Sequence, residues 1–273
     1  MRSDVAAGSR NPREVRPKKR FGQHFLKDPN TARIVADGTS PDDVVLEVGP
    51  GRGFLTGFLL ERARHVHAVE IDADVLPYLK EATAGAENLD VHEADALLFD
   101  YARLDPPPDR LVANLPYNVA SPLVLRLLEE VPTLGTLRFM VQLEVARRMT
   151  AKRRTKDYGA YAVLIQHHAA GRIVHRVPRT VFDPPPRVDS AVVELSRREP
   201  DLAPRSYPAF KQLVLRAFAT RRKRLLNGFP KEERPAYRAA LGAVGFGEDT
   251  RAEELSPESF VALFRALERG GAG

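Results

Sequence analysis

Cysteine is absent from the 273 residues, which excludes disulfides, cysteine-ligated zinc and thiol catalysis. No window approaches the roughly 20 apolar residues of a membrane span, so no membrane partner is expected. The first twenty residues are basic and polar without an apolar stretch and do not read as a secretory signal. Asp4 and Glu14 also count against an organellar transit peptide. Methionine is scarce, proline plentiful and arginine favoured, a bias that suits a heat-tolerant host and a GC-rich genome equally. Low-complexity tracts and internal repeats are missing as well.

The length accommodates one large domain with a small appendage. Lys and Arg exceed Asp and Glu by 42 − 36 = 6. Basic residues cluster at Arg16-Pro17-Lys18-Lys19-Arg20, Arg147-Arg148, Lys152-Arg153-Arg154 and Arg221-Arg222-Lys223-Arg224. Any one run is ordinarily a solvated face; four in one chain favour an anionic partner such as nucleic acid.

Residues 1–20 read as a flexible basic arm, followed by the aromatic-rich Phe21-Gly22-Gln23-His24-Phe25-Leu26. Asp28-Pro29 is a helix start, with a capping side chain and a proline at the first helical position. The apolar run Val44–Val48 predicts a buried strand, ended by Gly49-Pro50-Gly51-Arg52-Gly53 and followed by a helix from Phe54 to about Arg64. Strands are then predicted at His65–Glu70, Leu89–Glu93, Leu111–Asn114 and Leu137–Val141, with helices at Asp74–Ala82, Ser121–Glu130 and Glu144–Met149. Strands alternating with helices at this spacing imply a parallel sheet covered on both faces. Tyr158–Ala170 reads as helix, and Arg172–Val177 and Ser190–Leu195 as strands flanking a proline-rich loop. A linker composition near residues 200–208 introduces helical spacing at Phe210, Leu213, Val214, Ala217 and Phe218. The expected division is therefore an arm (1–20), an α/β domain (21–199) and a helical C-terminal domain (200–273).

Ligands of an open parallel sheet sit at the carboxyl ends of its strands. Those ends carry Gly49-x-Gly51-x-Gly53, Glu70, Asp95 and Asn114. Glycines there admit a ligand close to the backbone, Glu70 is placed to accept from two ribose hydroxyls, and Asp95 from an adenine amine. Singly, each equally fits a tight turn or a solvated carboxylate; as a set they describe an adenosine site. The loop lacks the Gly-x-Gly-x-x-Gly of dinucleotide folds and the Gly-Lys-Ser/Thr of a P-loop. Asn114-Leu115-Pro116-Tyr117 supplies an amide for a ring amine, a fixed backbone and a stacking face. Asn and Pro are ordinary turn residues too, but after an adenosine site the tetrad fits methylation of a base amine, with S-adenosylmethionine as cofactor.

The segments Phe21–Leu26, Leu46-Glu47-Val48-Gly49-Pro50-Gly51-x-Gly53, Val69–Asp72, Asn114–Val119, Phe182-x-Pro184-x-Pro186-x-Val188-Asp189-Ser190 and Phe218-x-x-Arg221-Arg222-Lys223-x-Leu225 occur in this order. Together they resemble the ribosomal RNA adenine dimethyltransferases of the KsgA type across nearly the whole chain. The resemblance implies a Rossmann-like methyltransferase sheet of seven strands, one antiparallel, with a small helical C-terminal domain. It implies cofactor contacts from Gln23, His24, Leu26, Gly49, Gly51, Glu70, Asp95, Ala96 and Asn114, and no metal. The substrate it implies is two adjacent adenosines in the 3′-terminal hairpin loop of small-subunit rRNA, each dimethylated, within a 30S subunit precursor. A cytoplasmic, monomeric enzyme is expected. Leu143, Ala160 and Arg187 depart from the family pattern at positions that bear on local RNA contacts.

An adenine amine is a poor nucleophile, its lone pair being delocalised into the ring. Accepting both of its N–H groups, at Asn114 Oδ1 and the Leu115 carbonyl, favours a tetrahedral nitrogen aimed at the methyl donor. Pro116 stiffens this turn, Tyr117 is expected to stack on one face of the base, and Phe182 on the other. In-line transfer of this kind needs no metal, and positioning and electrostatics supply the rate. Arg187 and Arg221, Arg222, Lys223 and Arg224 are the expected RNA contacts. Two other readings fit: an adenine methyltransferase acting on large-subunit rRNA or DNA, and a non-catalytic assembly or nucleic-acid-binding factor.

Overall fold

The computed structural model describes Lys18 and residues 22–220 and 223–271. Of the segments singled out above, the rest of the arm, Phe21, Arg221 and Arg222 lie outside the described residues. The elements run β1 (Phe25–Leu26), α1 (Pro29–Ala36), β2 (Val44–Val48), α2 (Phe54–Leu60), β3 (His65–Glu70), α3 (Leu76–Ala82), β4 (Leu89–Glu93), β5 (Arg110–Asn114), α4 (Ala120–Glu130), β6 (Thr136–Gln142) and α5 (Leu143–Met149). They continue with α6 (Ala160–His168), β7 (Ala169–Val177), β8 (Phe182–Asp183), β9 (Ser190–Arg197), α7 (Tyr207–Ala219), α8 (Arg234–Ala243) and α9 (Pro257–Arg269).

Seven strands form one sheet in the order β4-β3-β2-β5-β6-β9-β7. β2 to β6 pair in parallel, while β9 is antiparallel to both its neighbours. This is the α/β architecture with one reversed strand that the family resemblance implied. Every residue of β2 is buried, as a central parallel strand covered on both faces requires. Alternate side chains feed two cores. Leu46, Leu111, Ala113, Phe139 and Val193 join the face covered by α4, α6 and the C-terminal helices. Val45, Val112, Met140 and Val192 join the face with Leu26 of β1, Val35 of α1 and Leu59 of α2.

α1 begins as its chemistry dictates: the Asp28 carboxylate accepts the Thr31 N–H, and Pro29 occupies the first turn. α2 stops at Leu60, earlier than its apolar pattern suggests. Its last turn is closed by the Arg62 and Ala63 N–H groups on the Leu59 carbonyl, before the chain turns into β3. The helix expected through Ala170 ends at His168, because Ala169 and Ala170 pair with Arg197 and Ser196 of β9. A small second sheet, β1 against β8, joins the aromatic-rich segment to the proline-rich loop, with Phe25 opposite Asp183 and Leu26 opposite Phe182.

The C-terminal helices share the α4/α6 core, so Phe210, Phe260 and Leu263 are fully buried. Tyr158 donates to the Leu255 carbonyl, and Tyr207 to Glu129 of α4, across this junction. His167 and His168 pack on Tyr207, and none of their ring nitrogens has a hydrogen-bond partner. Burial, aided by the neighbouring His167 and cations, pushes the His168 pKa down to about 3. The unfolded imidazole titrates near its ordinary value, so this contribution to stability is complete above about pH 6.5 and is lost as pH falls towards 3. Denaturation at pH 4 should show about 3 kcal/mol less stability than at pH 7 from this residue. In His168→Leu most of that slope should vanish.

Candidate active site

The sheet order reverses at β2/β5, and a cavity of about 780 Å³ opens there at the carboxyl ends of the strands. Its volume is in the range of small-molecule sites. Gln23, His24, Leu26, Gly49, Gly51, Glu70, Asp95, Ala96 and Asn114 all line it, as do Leu115, Pro116 and Tyr117. The folded chain thus brings together every residue expected at the cofactor.

The glycine loop is shaped by contacts that exclude side chains. Gly49, Gly51 and Gly53 all have positive φ. A Cβ on Gly49 would approach the Pro116 ring to 3.3 Å, and one on Gly51 would come within 3.1 Å of the Phe25 ring. Arg52 lies over that same ring, 4.3 Å from its centre. β1 therefore forms a cover over the loop.

Glu70 is almost fully buried at the end of β3. Its two oxygens accept the Gly51 and Asp72 N–H groups, at 3.0 and 2.9 Å. Burial outweighs these bonds and holds its pKa above the usual carboxylate value. One residue of β3 thus both ties down the glycine loop and presents a carboxylate to the cavity. Asp95, after β4, accepts the Leu97 N–H at 2.8 Å through Oδ1 and lies beside Ala96.

Asn114 ends β5. Its Nδ2 donates to the His24 carbonyl at 3.2 Å, and since a carbonyl can only accept, the amide orientation follows. Oδ1 is left buried without a hydrogen-bond partner. An orphaned buried acceptor in a ligand-sized cavity marks the place of a missing donor. The Leu115 N–H continues the β5–β6 ladder to the Met140 carbonyl, and Val119 N–H closes the turn on the Pro116 carbonyl. The tetrad is thereby rigid before anything binds. Tyr117 stacks on His24 with ring centres 5.4 Å apart, and its hydroxyl is 2.7 Å from Ser190 Oγ. Burial, partly offset by that bond, pushes the phenol up to about 12, so it is neutral.

Phe182 departs from expectation. Its ring is fully buried in the core with Leu26, Met140 and Val192, and it does not line the cavity, although its neighbour Asp183 does. Pairing with β1 turns the ring inward. A stacking role on the base would require this segment to open.

Two features escaped the sequence reading. Asp72 is buried, and its carboxylate is held by Lys18 Nζ and by Gln23 Nε2 at 2.8 Å. Burial raises its pKa, but these donors outweigh it and the net shift is downward. Asp72 so anchors the segment leading into β1; only the Val69–Asp72 motif hinted at it. Glu47, buried in β2, lines the cavity with Oε2 unpartnered, and burial pushes its pKa up to about 8. An acid inside an apolar strand run is the signal that could have found it.

Of the expected RNA contacts, Arg187 is exposed on the proline-rich loop. Lys223 borders a second hollow with Arg154 and Lys156, and Arg224 pairs with Asp249 at 2.8 Å. Arg221 and Arg222, between them and α7, are outside the described residues.

The sequence model of ribosomal RNA adenine dimethylases matches residues 15–269. A protein of Rubrobacter xylanophilus named ribosomal RNA small subunit methyltransferase A is 65% identical over 255 residues, covering 93% of this chain and 97% of that one. Its namesake in Alcanivorax borkumensis is 40% identical, covering 92% and 90%. Among solved structures, a dimethyladenosine transferase from Plasmodium falciparum superposes with TM-score 0.78 at 25% identity, covering 91% of this chain and 98% of that one. The 23S rRNA methyltransferase ErmE gives 0.67 at 32% identity, covering 89% and 99%. With an adenosine-shaped set of strand-end residues, a rigid Asn-Leu-Pro-Tyr turn and these relatives along nearly its full length, the chain belongs to the ribosomal RNA adenine dimethylase family and is an S-adenosylmethionine-dependent rRNA adenine dimethyltransferase.

Proposed function

We propose that the protein dimethylates the exocyclic amines of two adjacent adenosines in the 3′-terminal hairpin loop of small-subunit rRNA, acting as a cytoplasmic monomer on a 30S subunit precursor. The observation that carries the chemistry is the buried, unpartnered Oδ1 of Asn114 in the cavity. The choice of target leans on the small-subunit relatives at 65% and 40% identity.

The residues present fit the cofactor. Glu70 and Asp95 offer carboxylates to ribose hydroxyls and to an adenine amine, and Gly49 and Gly51, in the left-handed backbone region, present the loop without side chains at the cavity wall. When bound, S-adenosylmethionine supplies an electrophilic methyl group. The chain supplies the rest. Asn114 Oδ1 and the Leu115 carbonyl accept the two N–H groups of the target amine and aim its lone pair. Tyr117, braced by His24 and Ser190, offers its ring to the base. An unpaired loop adenine enters such a pocket at the lowest cost in lost stacking. With the acceptors preformed, little reorganisation accompanies the reaction.

Exposed Arg187 and the basic hollow of Arg154, Lys156 and Lys223 are suited to rRNA phosphates, together with the adjoining Arg221, Arg222 and Arg224. Neutralising positions 221–224 should weaken RNA binding and flatten its dependence on log[salt] by about 0.7–0.9 per lost phosphate contact. An unchanged slope would remove this segment from the interface.

The decisive experiment supplies methyl-labelled S-adenosylmethionine to the protein and unmethylated small subunits, then identifies the labelled nucleoside and its position by mass spectrometry. Dimethyladenosine in the 3′-terminal hairpin is expected. Label confined to large-subunit RNA or DNA would keep the chemistry and discard the target. Subunit binding without transfer would favour an assembly factor.

A further inference from the structure

We infer that His65, His67 and Asp90 form a binding site for one divalent transition-metal ion of the zinc class, on the sheet face shared by β3 and β4. Residues 65, 67, 90 and 92 lie on one face, because side chains alternate along a strand and the parallel register sets His67 opposite Asp90. His65 Nε2 is 3.0 Å and His67 Nδ1 3.7 Å from the same oxygen, Asp90 Oδ2. His92 Nε2 stands 3.4 Å from His67 Nδ1. One ligand atom from each of His65, His67 and Asp90 lies within 4.8 Å of the others. A tetrahedral ion with bonds of 2.0–2.1 Å places its ligand atoms about 3.3–3.4 Å apart, so the observed spacings need only small side-chain adjustments.

The tautomer of His67 turns a ligand atom towards the cluster. His67 is buried, and its Nε2 lies 2.9 Å from the Pro106 carbonyl, which can only accept. The proton therefore sits on Nε2 and the Nδ1 lone pair faces the cluster. That lone pair and the Asp90 oxygen are two acceptors 3.7 Å apart, served without an ion by His92 Nε2 and His65 Nε2 and able to converge on one when it is present. A backbone carbonyl orienting a histidine through its other nitrogen is the usual outer support of a metal site. Asp90 is half exposed, leaving a path for the ion and room for water as a further ligand. Two imidazoles and one carboxylate suit zinc, cobalt or nickel rather than the all-oxygen preference of magnesium or calcium.

The ion would be structural, since methyl transfer needs none. β4 is the edge strand, only partly buried. Bridging it to β3 stiffens the two strands that lead to Asp95 and Glu70.

The test uses tag-free, metal-stripped full-length protein titrated with Co²⁺ and read by visible absorption, with Zn²⁺ as competitor. One equivalent should develop four-coordinate bands, Zn²⁺ should abolish them, and excess Mg²⁺ should leave them unchanged. Asp90→Asn and His65→Gln should each weaken binding by more than the roughly 10–100-fold that loss of an outer hydrogen-bond partner costs. His175→Gln, at an exposed histidine outside the cluster, should bind as the parent does. Asp90→Asn alters a half-exposed side chain without changing its shape, and an unshifted metal-free Tm verifies that the fold is kept. Absent bands, competition by Mg²⁺, or undiminished affinity in both Asp90→Asn and His65→Gln would each overturn the site.

Discussion

Asn114→Ala should lower methyl transfer by at least about 10²–10³-fold, the effect of deleting one preorganised polar group from an active site. Cofactor affinity should stay within a few fold. The expectation rests on the two ends of one amide. Nδ2 is committed to the His24 carbonyl, which leaves Oδ1 as a fixed, buried acceptor with no partner of its own. Alanine removes the acceptor without adding bulk, while Glu70, Asp95 and the glycine loop remain to hold the cofactor. Single-turnover transfer of labelled methyl, beside calorimetric binding of S-adenosylhomocysteine, separates the two effects. Asn114→Asp keeps an oxygen but loses the donor to His24, so it should be impaired too, through orientation. Near-normal turnover in Asn114→Ala would remove this residue from the chemistry.

Glu47→Gln should stabilise the protein by about 2–3 kcal/mol at pH 7 in the absence of cofactor. Glu47 is 1% exposed within an otherwise apolar strand. Burial pushes its pKa up to about 8, with Thr56 opposing and Glu70 adding to the shift. The sign follows from linkage. The unfolded carboxyl titrates near 4.5 and the folded one near 8, so the folded state binds more protons between them. Stability is complete below about pH 4.5 and declines as pH rises to 8. Glutamine does not titrate, although its buried amide keeps a desolvation cost of its own. The gain should therefore vanish near pH 4.5 and level off above pH 8. Urea denaturation of both proteins across that range measures it; a gain independent of pH would show that ionisation is not the cause. A destabilising acid retained at the cavity wall has the character of a functional residue, so cofactor affinity should fall in the same variant.

Much of the site was readable in the chain itself because parallel α/β sheets convert local patterns into position. A buried central strand needs a continuous apolar run, and turn residues must follow it, so β2, β3 and β4 were located at their observed bounds. Strands running the same way bring their carboxyl ends to one edge, and the residues that end or closely follow those runs, Gly49, Glu70, Asp95 and Asn114, necessarily met there.

Tertiary structure decided whatever depends on segments distant in sequence or on the direction of a side chain. β1 and β8 are two residues each, too short to have a period, and only their mutual pairing makes them strands. That pairing turned Phe182 into the core, although its motif suggested a base-stacking ring. The Asn114 amide acquired its orientation from the His24 carbonyl, a contact no local pattern contains. Asp72 became an anchor once Lys18 and Gln23 reached it. His65-x-His67 and Asp90-x-His92 are unremarkable apart; the register of two neighbouring parallel strands makes them a cluster. Hydrophobic period and turn chemistry are properties of a few consecutive residues and can be read along the chain. Register, burial of an individual ring and the satisfaction of an individual polar atom are settled only when the sheet closes and the chain competes with water for each group.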